Sequence, residues 1–555
     1  MTQTTKLLAD FLSRTVFCGE RDPMRKIQFA LSAGLPCLLA DAPSFLPPLP
    51  SLDSLCLAPQ REVNAFLLAE MAELTAALSA AGVRFVFLKG PLLGQLLYAP
   101  ACLRPTSDID LLTAYEDVAK AMDVLGALGY TYENGSPYSG AGYAYDYSKG
   151  DTRLKIMGRH SACARCKGDR ASTVELHVQP FRSYGATTNQ TLRTISDAVF
   201  ARVQWVECGG QRYPILSHID NFLMLCTHFA RHAVEAVTKF CSAGAAKLFP
   251  LGALHDLALY HTAFGADWTA DTLVSVAEAY GCAVDLAFAA RYLAEIYAFS
   301  VFGEIFRRLE AALPRDAESV SYVEICRNWG ARDLLCEDGR TLLARLRALC
   351  PPQKVYPLQE GVAFPVPDCE VAEIADDPAD ARVTRRLLRY SWGAAIENER
   401  LRFCVKIAER DLWFAPQAGD AANVHFRIRS TKFDCSQNCG GCNQTYLLRF
   451  RRDHAGVAAD LYDGRDGQSR PCAVTCREGE VLAYFDLPLA DPNRDAWRFI
   501  LSAEVCFPRP HDPTRNCTFA LRWIDSVTIS HQTCLCYGEL RRGQSAATDD
   551  RLTHA

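Results

Sequence analysis

Residues Phe85–Leu112 read FVFLKGPLLGQLLYAPACLRPTSDIDLL. A short β-rich run ends in Lys89-Gly90, the segment PLLGQLLYA has helical character, and a polar loop leads into DIDLL, where two aspartates stand two apart inside a second apolar run. Alternate residues of a strand share a face, so Asp108 and Asp110 are expected to project together, about 7 Å apart along the chain, while Ile109 and Leu111 enter a core. Carboxylates against a core are costly unless a cation meets them. The pair suits oxygen ligation of magnesium, and two such ions would clamp the entering and leaving oxygens of an in-line phosphoryl displacement.

The flanking segments build outward from this unit. EVNAFLLAEMAELTAALSAAG before it spaces its apolar residues by three and four and stops at Gly82, which predicts a helix feeding the first strand. EDVAKAMDVLGALGY after it predicts an amphipathic helix ending at Gly129. Residues 131–170 are rich in Gly, Ser and Tyr and read as irregular. STVELHV then alternates, with Val174, Leu176 and Val178 on one face and Glu175 and His177 on the other. Glu175 is the candidate third carboxylate of the pocket, and His177, on its face, is read as orienting it, as meeting phosphate, or as a hydrogen-bonded structural histidine.

The ordered set LKG, LY, R, DIDLL and ELH resembles the uncharacterised nucleotidyltransferase-like family of bacterial proteins, within the nucleotidyltransferase superfamily. LMLCTHFARH around His228 and His232, ALHDLALY around Asp256, and Trp268 in ADWTADTL extend the likeness, which covers roughly residues 55–305. The resemblance implies a transfer of a nucleoside monophosphate from a nucleoside triphosphate such as ATP. Asp108, Asp110 and Glu175 would be the catalytic residues holding two Mg2+ ions, and Gly90 would let the backbone approach the triphosphate. Many members of the superfamily carry Gly-Ser in that turn where this chain has Lys89-Gly90, so Lys89 or Arg104 is expected to supply charge to the phosphates. Lys89, Gly90, Arg104 and His177 are therefore the candidate nucleotide-binding residues. Neutralising Asp108 or Asp110 is expected to abolish turnover and leave the fold intact.

The expected architecture is α+β: a nucleotidyltransferase-like mixed sheet with helices, a helical middle region, and a C-terminal antiparallel β-sandwich. Its predicted parts are an N-terminal helical region (1–60), the α/β core (61–195), a helical domain (196–349), a Pro-rich linker (350–370), the sandwich (371–542) and a disordered tail (543–555). The sandwich is similar to carbohydrate-binding modules, and Trp392, Trp413, Trp497 and Trp523 are read either as stacking faces or as core.

A chain of 555 residues with 49% hydrophobic and 22% charged residues is long enough for several cores. The net charge of −5 gives no global basic field, which argues against a dedicated DNA-coating surface and leaves room for a local nucleotide pocket. Asp10 and Arg14 interrupt what would be the apolar centre of a signal peptide, and no unbroken apolar run of about 18 residues occurs, so a cytoplasmic setting without a membrane is expected. The 24 cysteines are spread along the chain, which favours free thiols or metal clusters over disulfides.

Four thiolates drawn from Cys435, Cys439, Cys442, Cys472 and Cys476 could form a structural zinc site, and Cys163 and Cys166 after His160 could form part of a knuckle. His228 and His232 stand four apart on a helix, without the glutamate a zinc peptidase needs, and read as packed or capped. A competing reading makes the protein a catalytically inactive transferase-fold scaffold whose sandwich binds a glycan or protein partner. The acceptor of the transferred group, whether small molecule, protein or glycan, stays open.

Overall fold

The computed structural model describes residues 2–20, 22–41, 45, 57–131, 161–177, 180–181, 189–238, 249–313, 320–337, 341–342, 345–346, 349, 354–358, 368–369, 390–397, 400–412, 414–415, 421–431, 443–464, 466–488, 496–508, 516–522 and 538–542. They form two compact units, one built from the elements up to Cys336 and one from Lys354 onward. The tail 543–555, Cys435, Cys439, Cys442, His160, Trp413 and Trp523 lie outside the described residues.

The first unit begins with α1 (Gln3–Thr15), α2 (Pro23–Ser32) and α3 (Pro36–Asp41). The Thr2 hydroxyl caps α1 by accepting from Thr5 N, and Asp22 caps α2 ahead of Pro23, whose missing N–H costs nothing at a helix start. α4 (Ala58–Ala80) buries Leu67, Met71, Leu74 and Leu78, spaced four, three and four apart and so on one face. It stops at Gly82, which takes φ +65°, a left-handed conformation that closes the helix as Gly82 N donates to Ser79 O and Val83 N to Leu78 O. By length and composition α4 is the one described helix apolar enough to cross a bilayer, yet that buried face belongs to the core on the sheet.

The sheet is assembled from β1 (Phe85–Phe87), β2 (Ile109–Thr113), β3 (Ser161–Lys167), β4 (Arg170–His177), β5 (Gln204–Cys208) and β6 (Gln211–Ile215), with α5 (Gly90–Leu97), α6 (Val118–Ala127) and α7 (Asn189–Phe200) between them. The strand order is β3-β4-β2-β1-β6-β5, with β2 parallel to β4, β1 parallel to β6 and the other pairs antiparallel, which makes it mixed as expected. Ile109, Leu111, Val174 and Leu176 join the α4 and α6 side chains in one core. Each such buried aliphatic side chain contributes roughly 2 kcal/mol by transfer from water. The opposite parity, Asp110, Glu175 and His177, is thereby sent to the other face.

Two corrections concern strands. β3 lies in the stretch expected to be irregular, where SACARCK lacks the β-branched residues that mark a strand and is held by pairing with β4. β5 and β6 lie in the region expected to be helical throughout. Gly209 and Gly210, at φ +60° and +76°, supply the two-residue hairpin turn that closes them. β3 also undoes the knuckle: Cys163 is buried in the core and Cys166 is exposed, as an odd spacing on a strand requires.

Helices α8 (His218–Thr238), α9 (Leu251–Phe264), α10 (Ala270–Ala279), α11 (Ala283–Tyr297), α12 (Ser300–Glu310), α13 (Val320–Asn328) and α14 (Ala331–Cys336) complete the unit. Aromatic contacts knit them, among them Phe229 with Phe288 and Tyr292, and Phe222 with Trp268 and Phe302.

The second unit is almost entirely β-structure: β7 (Lys354–Leu358), β8 (Asp368–Cys369), β9 (Tyr390–Glu397), β10 (Arg400–Ala408), β11 (Phe414–Ala415), β12 (Ala421–Thr431), β13 (Asn443–Asp453), β14 (Gly456–Asp463), β15 (Gln468–Arg477), β16 (Glu480–Pro488), β17 (Ala496–Pro508), β18 (Asn516–Arg522) and β19 (Gly538–Arg542). Pairing is antiparallel except where β7 runs parallel to β19. β7 and β8 fall within the stretch read as a linker. β15 joins two sheets: Gln468–Cys472 pairs with β14 and Ala473–Arg477 with β16. Tyr390 on β9 meets Phe426 on β12 edge to face at 5.0 Å, and both are buried. Trp392 is buried as well, a core tryptophan rather than a stacking face.

Candidate functional site

The site starts at the end of β1, where only Leu88 and Lys89 separate the strand from α5. Gly90 takes φ +65°, and a Cβ there would lie 3.2 Å from Asp108 O. Glycine is therefore required both for the backbone angle and for the close approach of the Asp108 loop. Arg104 fastens the turn: its guanidinium donates to Gly90 O at 3.1 Å and to Asp256 Oδ2 at 2.9 Å. Tyr98 donates its hydroxyl proton to the other oxygen of Asp256 at 2.8 Å. Arg104, expected to meet phosphates, is thus engaged with the α9 carboxylate and the turn.

Asp110 sits on β2 directly beside Glu175 on β4, its register partner, and Leu112 sits beside His177. One oxygen of each carboxylate and an imidazole nitrogen of His177 lie within 4.8 Å of one another, the one such group of three potential metal ligands among the described residues. The Asp110 side chain is only 1% exposed. Its Oδ1 receives Lys89 Nζ at 3.0 Å and His177 Nε2 at 3.1 Å. Asp108 precedes β2, is partly buried, and stands outside that group of three, although close enough for its charge to be felt by Asp110 and Glu175.

The three carboxylates divide by environment. Burial pushes Asp110 up, but the Lys89 charge and the His177 hydrogen bond outweigh it and hold the group far below the ordinary carboxylate range. Asp108 and Glu175 are both pushed above their ordinary values, by burial first and then by the negative charge of Asp110. Two carboxylates are thus poorly neutralised by the cations around them, the condition a divalent ion would relieve. His177 Nε2 faces the ionised Asp110 at 3.1 Å, and the carboxylate oxygens of Asp110 and Glu175 are the donors of this group that suit Mg2+.

His228, read from its sequence as packed or capped, places Nδ1 at 3.3 Å from Lys89 Nζ and packs edge to face on His232 with ring centroids 4.4 Å apart. Its only sequence signal was the i, i+4 histidine pair. Neither LKG nor THFARH announces that α8 reaches the lysine. Away from this face, Cys472 and Cys476 lie on β15, half-buried and exposed respectively.

The mixed sheet and this acidic face fit the nucleotidyltransferase-like fold expected from the sequence. Residues 46–298 match the model of the family described as "Uncharacterised nucleotidyltransferase". No curated protein matches the chain. The chain is similar to a solved carbohydrate binding module family 9 from Caldicellulosiruptor kristjanssonii in complex with glucose, at 9% identity and a TM-score of 0.22, over 35% of this chain and 100% of that one. The same module in complex with cellotriose matches at 9% identity and TM-score 0.22, over 36% of this chain and 99% of that one.

Proposed function

We propose that the protein is a Mg2+-dependent nucleotidyltransferase that moves a nucleoside monophosphate from a nucleoside triphosphate to a hydroxyl or phosphate acceptor. The observation that carries this reading is the convergence of Asp110 and Glu175 on one sheet face beside the Gly90 turn. In this reading Asp110 and Glu175, with Asp108 at the mouth, hold the divalent ion, which would neutralise charge on the triphosphate as the bond to the leaving pyrophosphate breaks. His177 fixes the Asp110 carboxylate in one orientation. The peptide groups around Gly90 can approach phosphate closely because no side chain stands between, and the ammonium of Lys89 supplies the positive charge that a Gly-Ser turn would provide through hydrogen bonds.

The test is release of pyrophosphate and transfer of label from α-labelled nucleoside triphosphates, assayed with each base, with and without Mg2+, in the presence of candidate acceptors. Metal-dependent transfer supports the reading. No transfer together with no metal-dependent nucleotide binding would leave the scaffold reading in its place.

A further inference from the structure

We propose that Lys89 is a resident counter-cation of the acidic face: it occupies Asp110 until a divalent ion displaces it, and the freed ammonium then passes to the phosphates of the incoming nucleotide. The inference deepens the transferase reading and rests on it.

Lys89 Nζ is 3.0 Å from Asp110 Oδ1 and 3.3 Å from His228 Nδ1, so the ammonium is suspended between β2 and α8. An ammonium has three N–H donors and no acceptor, so His228 Nδ1 must be the accepting atom. Burial, and after it the charge of Lys89, disfavours the protonated imidazole and leaves that nitrogen free to accept. The lysine is 15% exposed, which leaves it a route outward. Its backbone is held, since it stands immediately before Gly90 and α5, but the four-carbon stem can swing its charge by several ångströms with the main chain fixed.

The position it holds is the one a metal ion needs. Asp110 is the carboxylate that Lys89 and His177 both engage, with Glu175 as its register partner on the neighbouring strand. A divalent ion bridging Asp110 and Glu175 would stand against the ammonium at like-charge contact, so one must leave. The lysine therefore lowers the affinity of the empty site for bare metal, and returns this as attraction for a metal that arrives with triphosphate, whose oxygens offer the displaced ammonium a new partner. The two effects have opposite signs, which distinguishes the proposal from a structural role for the lysine.

The experiment is Mn2+ binding to the full chain, followed by electron paramagnetic resonance, for wild type, Lys89→Met, Lys89→Gln and Asp110→Asn, first with the metal alone and then with a non-hydrolysable ATP analogue. Lys89→Gln retains an amide that can bridge Asp110 and His228, so it guards against a folding defect in the methionine variant. Removing one unit charge from contact with the ligand should tighten binding of bare Mn2+ roughly tenfold or more in both lysine variants. Both should also bind the Mn2+–analogue complex more weakly than wild type. Unchanged or weakened bare-metal binding, or analogue binding that does not fall, overturns the role given to Lys89. If Asp110→Asn binds Mn2+ as wild type does, the metal site fails. Loss of binding in Asp110→Asn with wild-type binding in both lysine variants sinks the Lys89 proposal alone.

Discussion

Asp110 and Glu175 are direct register partners on the parallel strands β2 and β4, so their carboxylates leave the same face side by side. Their electrostatic situations are nonetheless opposite: Asp110 is paired with Lys89 and favoured as an anion, whereas Glu175 is raised by burial and by Asp110 itself. Neutralising substitutions at the two positions should therefore alter stability in opposite directions, although both should abolish transfer.

Asp110→Asn strips Lys89 of its buried counter-charge and should cost roughly 2 to 4 kcal/mol, so the expectation that it spares the fold does not survive the ion pair. Asp108→Asn and Glu175→Gln should raise the unfolding temperature at pH 7. The sign follows from linkage: a carboxyl whose folded pKa is raised costs stability as pH climbs past its unfolded value, the cost is complete above the folded value, and its neutral isostere escapes it. At pH 3, where the native carboxyls are protonated, the gain should vanish. Thermal unfolding of the three variants at pH 7 and pH 3, without metal, checks it. A loss of stability for Glu175→Gln at pH 7 would contradict the account.

Gly90→Ala tests the turn. Its φ of +65° costs a non-glycine residue about 1–2 kcal/mol, and the added Cβ would press on Asp108 O at 3.2 Å. The Asp108 loop must shift to relieve that contact, so the variant should lose transfer activity by more than its stability loss explains. Comparing denaturant midpoints with transfer rates at a temperature where the variant remains folded separates the two effects.

Arg104 is a positioning residue in this geometry, bonded to Asp256 and to Gly90 O and 14% exposed. The single ammonium of a lysine could not reproduce the planar fork that reaches both partners, so Arg104→Lys should destabilise measurably and Arg104→Ala, which leaves Asp256 buried without its cation, by about 3–5 kcal/mol. Tyr98→Phe removes one hydrogen bond to Asp256 and should cost about 1–2 kcal/mol. Urea unfolding of the three variants gives the order; equal costs would mean that Asp256 is held by something else.

The site was legible where periodicity carried it. Period-two alternation in DIDLL and STVELHV separates Ile109, Leu111, Val174 and Leu176 from Asp110 and Glu175, because a strand allows only two faces. What stayed hidden were partnerships at long range. Tyr98 and Arg104 lie some 150 residues from Asp256, and no local pattern couples an arginine after a polar loop to an aspartate inside an apolar helix. The β5–β6 hairpin was missed because QWVEC and QRYPI are short, although Gly209-Gly210 is a hairpin signal. Lys89 reads as a phosphate ligand in the sequence, and its engagement with Asp110 on β2 and His228 on α8 joins elements that no local pattern couples.

A second charged cluster, behind the sheet, predicts how the first unit responds to acid. Arg165 on β3 donates to Glu70 and Glu73 of α4 at 2.5 and 2.7 Å, and Lys167 pairs with the same two carboxylates. Ser172 and Tyr130 also donate to Glu70. Hydrogen bonds from Arg165 and then Lys167 hold Glu73 down at about 2 from an ordinary 4.5. Burial alone would raise Glu70, but the bonds from Lys167, Arg165 and Ser172 prevail and set it below its ordinary value as well. A depressed folded-state pKa contributes stability that is complete above the unfolded value and is lost as pH falls through the folded one, so this clamp of α4 on β3 should weaken between pH 4.5 and about 2. Glu73→Gln should flatten the pH dependence of the urea midpoint across that interval while lowering it only modestly above pH 6, since Glu73 is 39% exposed and solvent screens its pairs. Glu70, 2% exposed, should behave differently: Glu70→Gln leaves Arg165 buried beside a neutral partner and should lower stability at neutral pH too, by about 3 kcal/mol. If the Glu73→Gln midpoint falls as steeply with acid as wild type does, the clamp is not what the acid titrates.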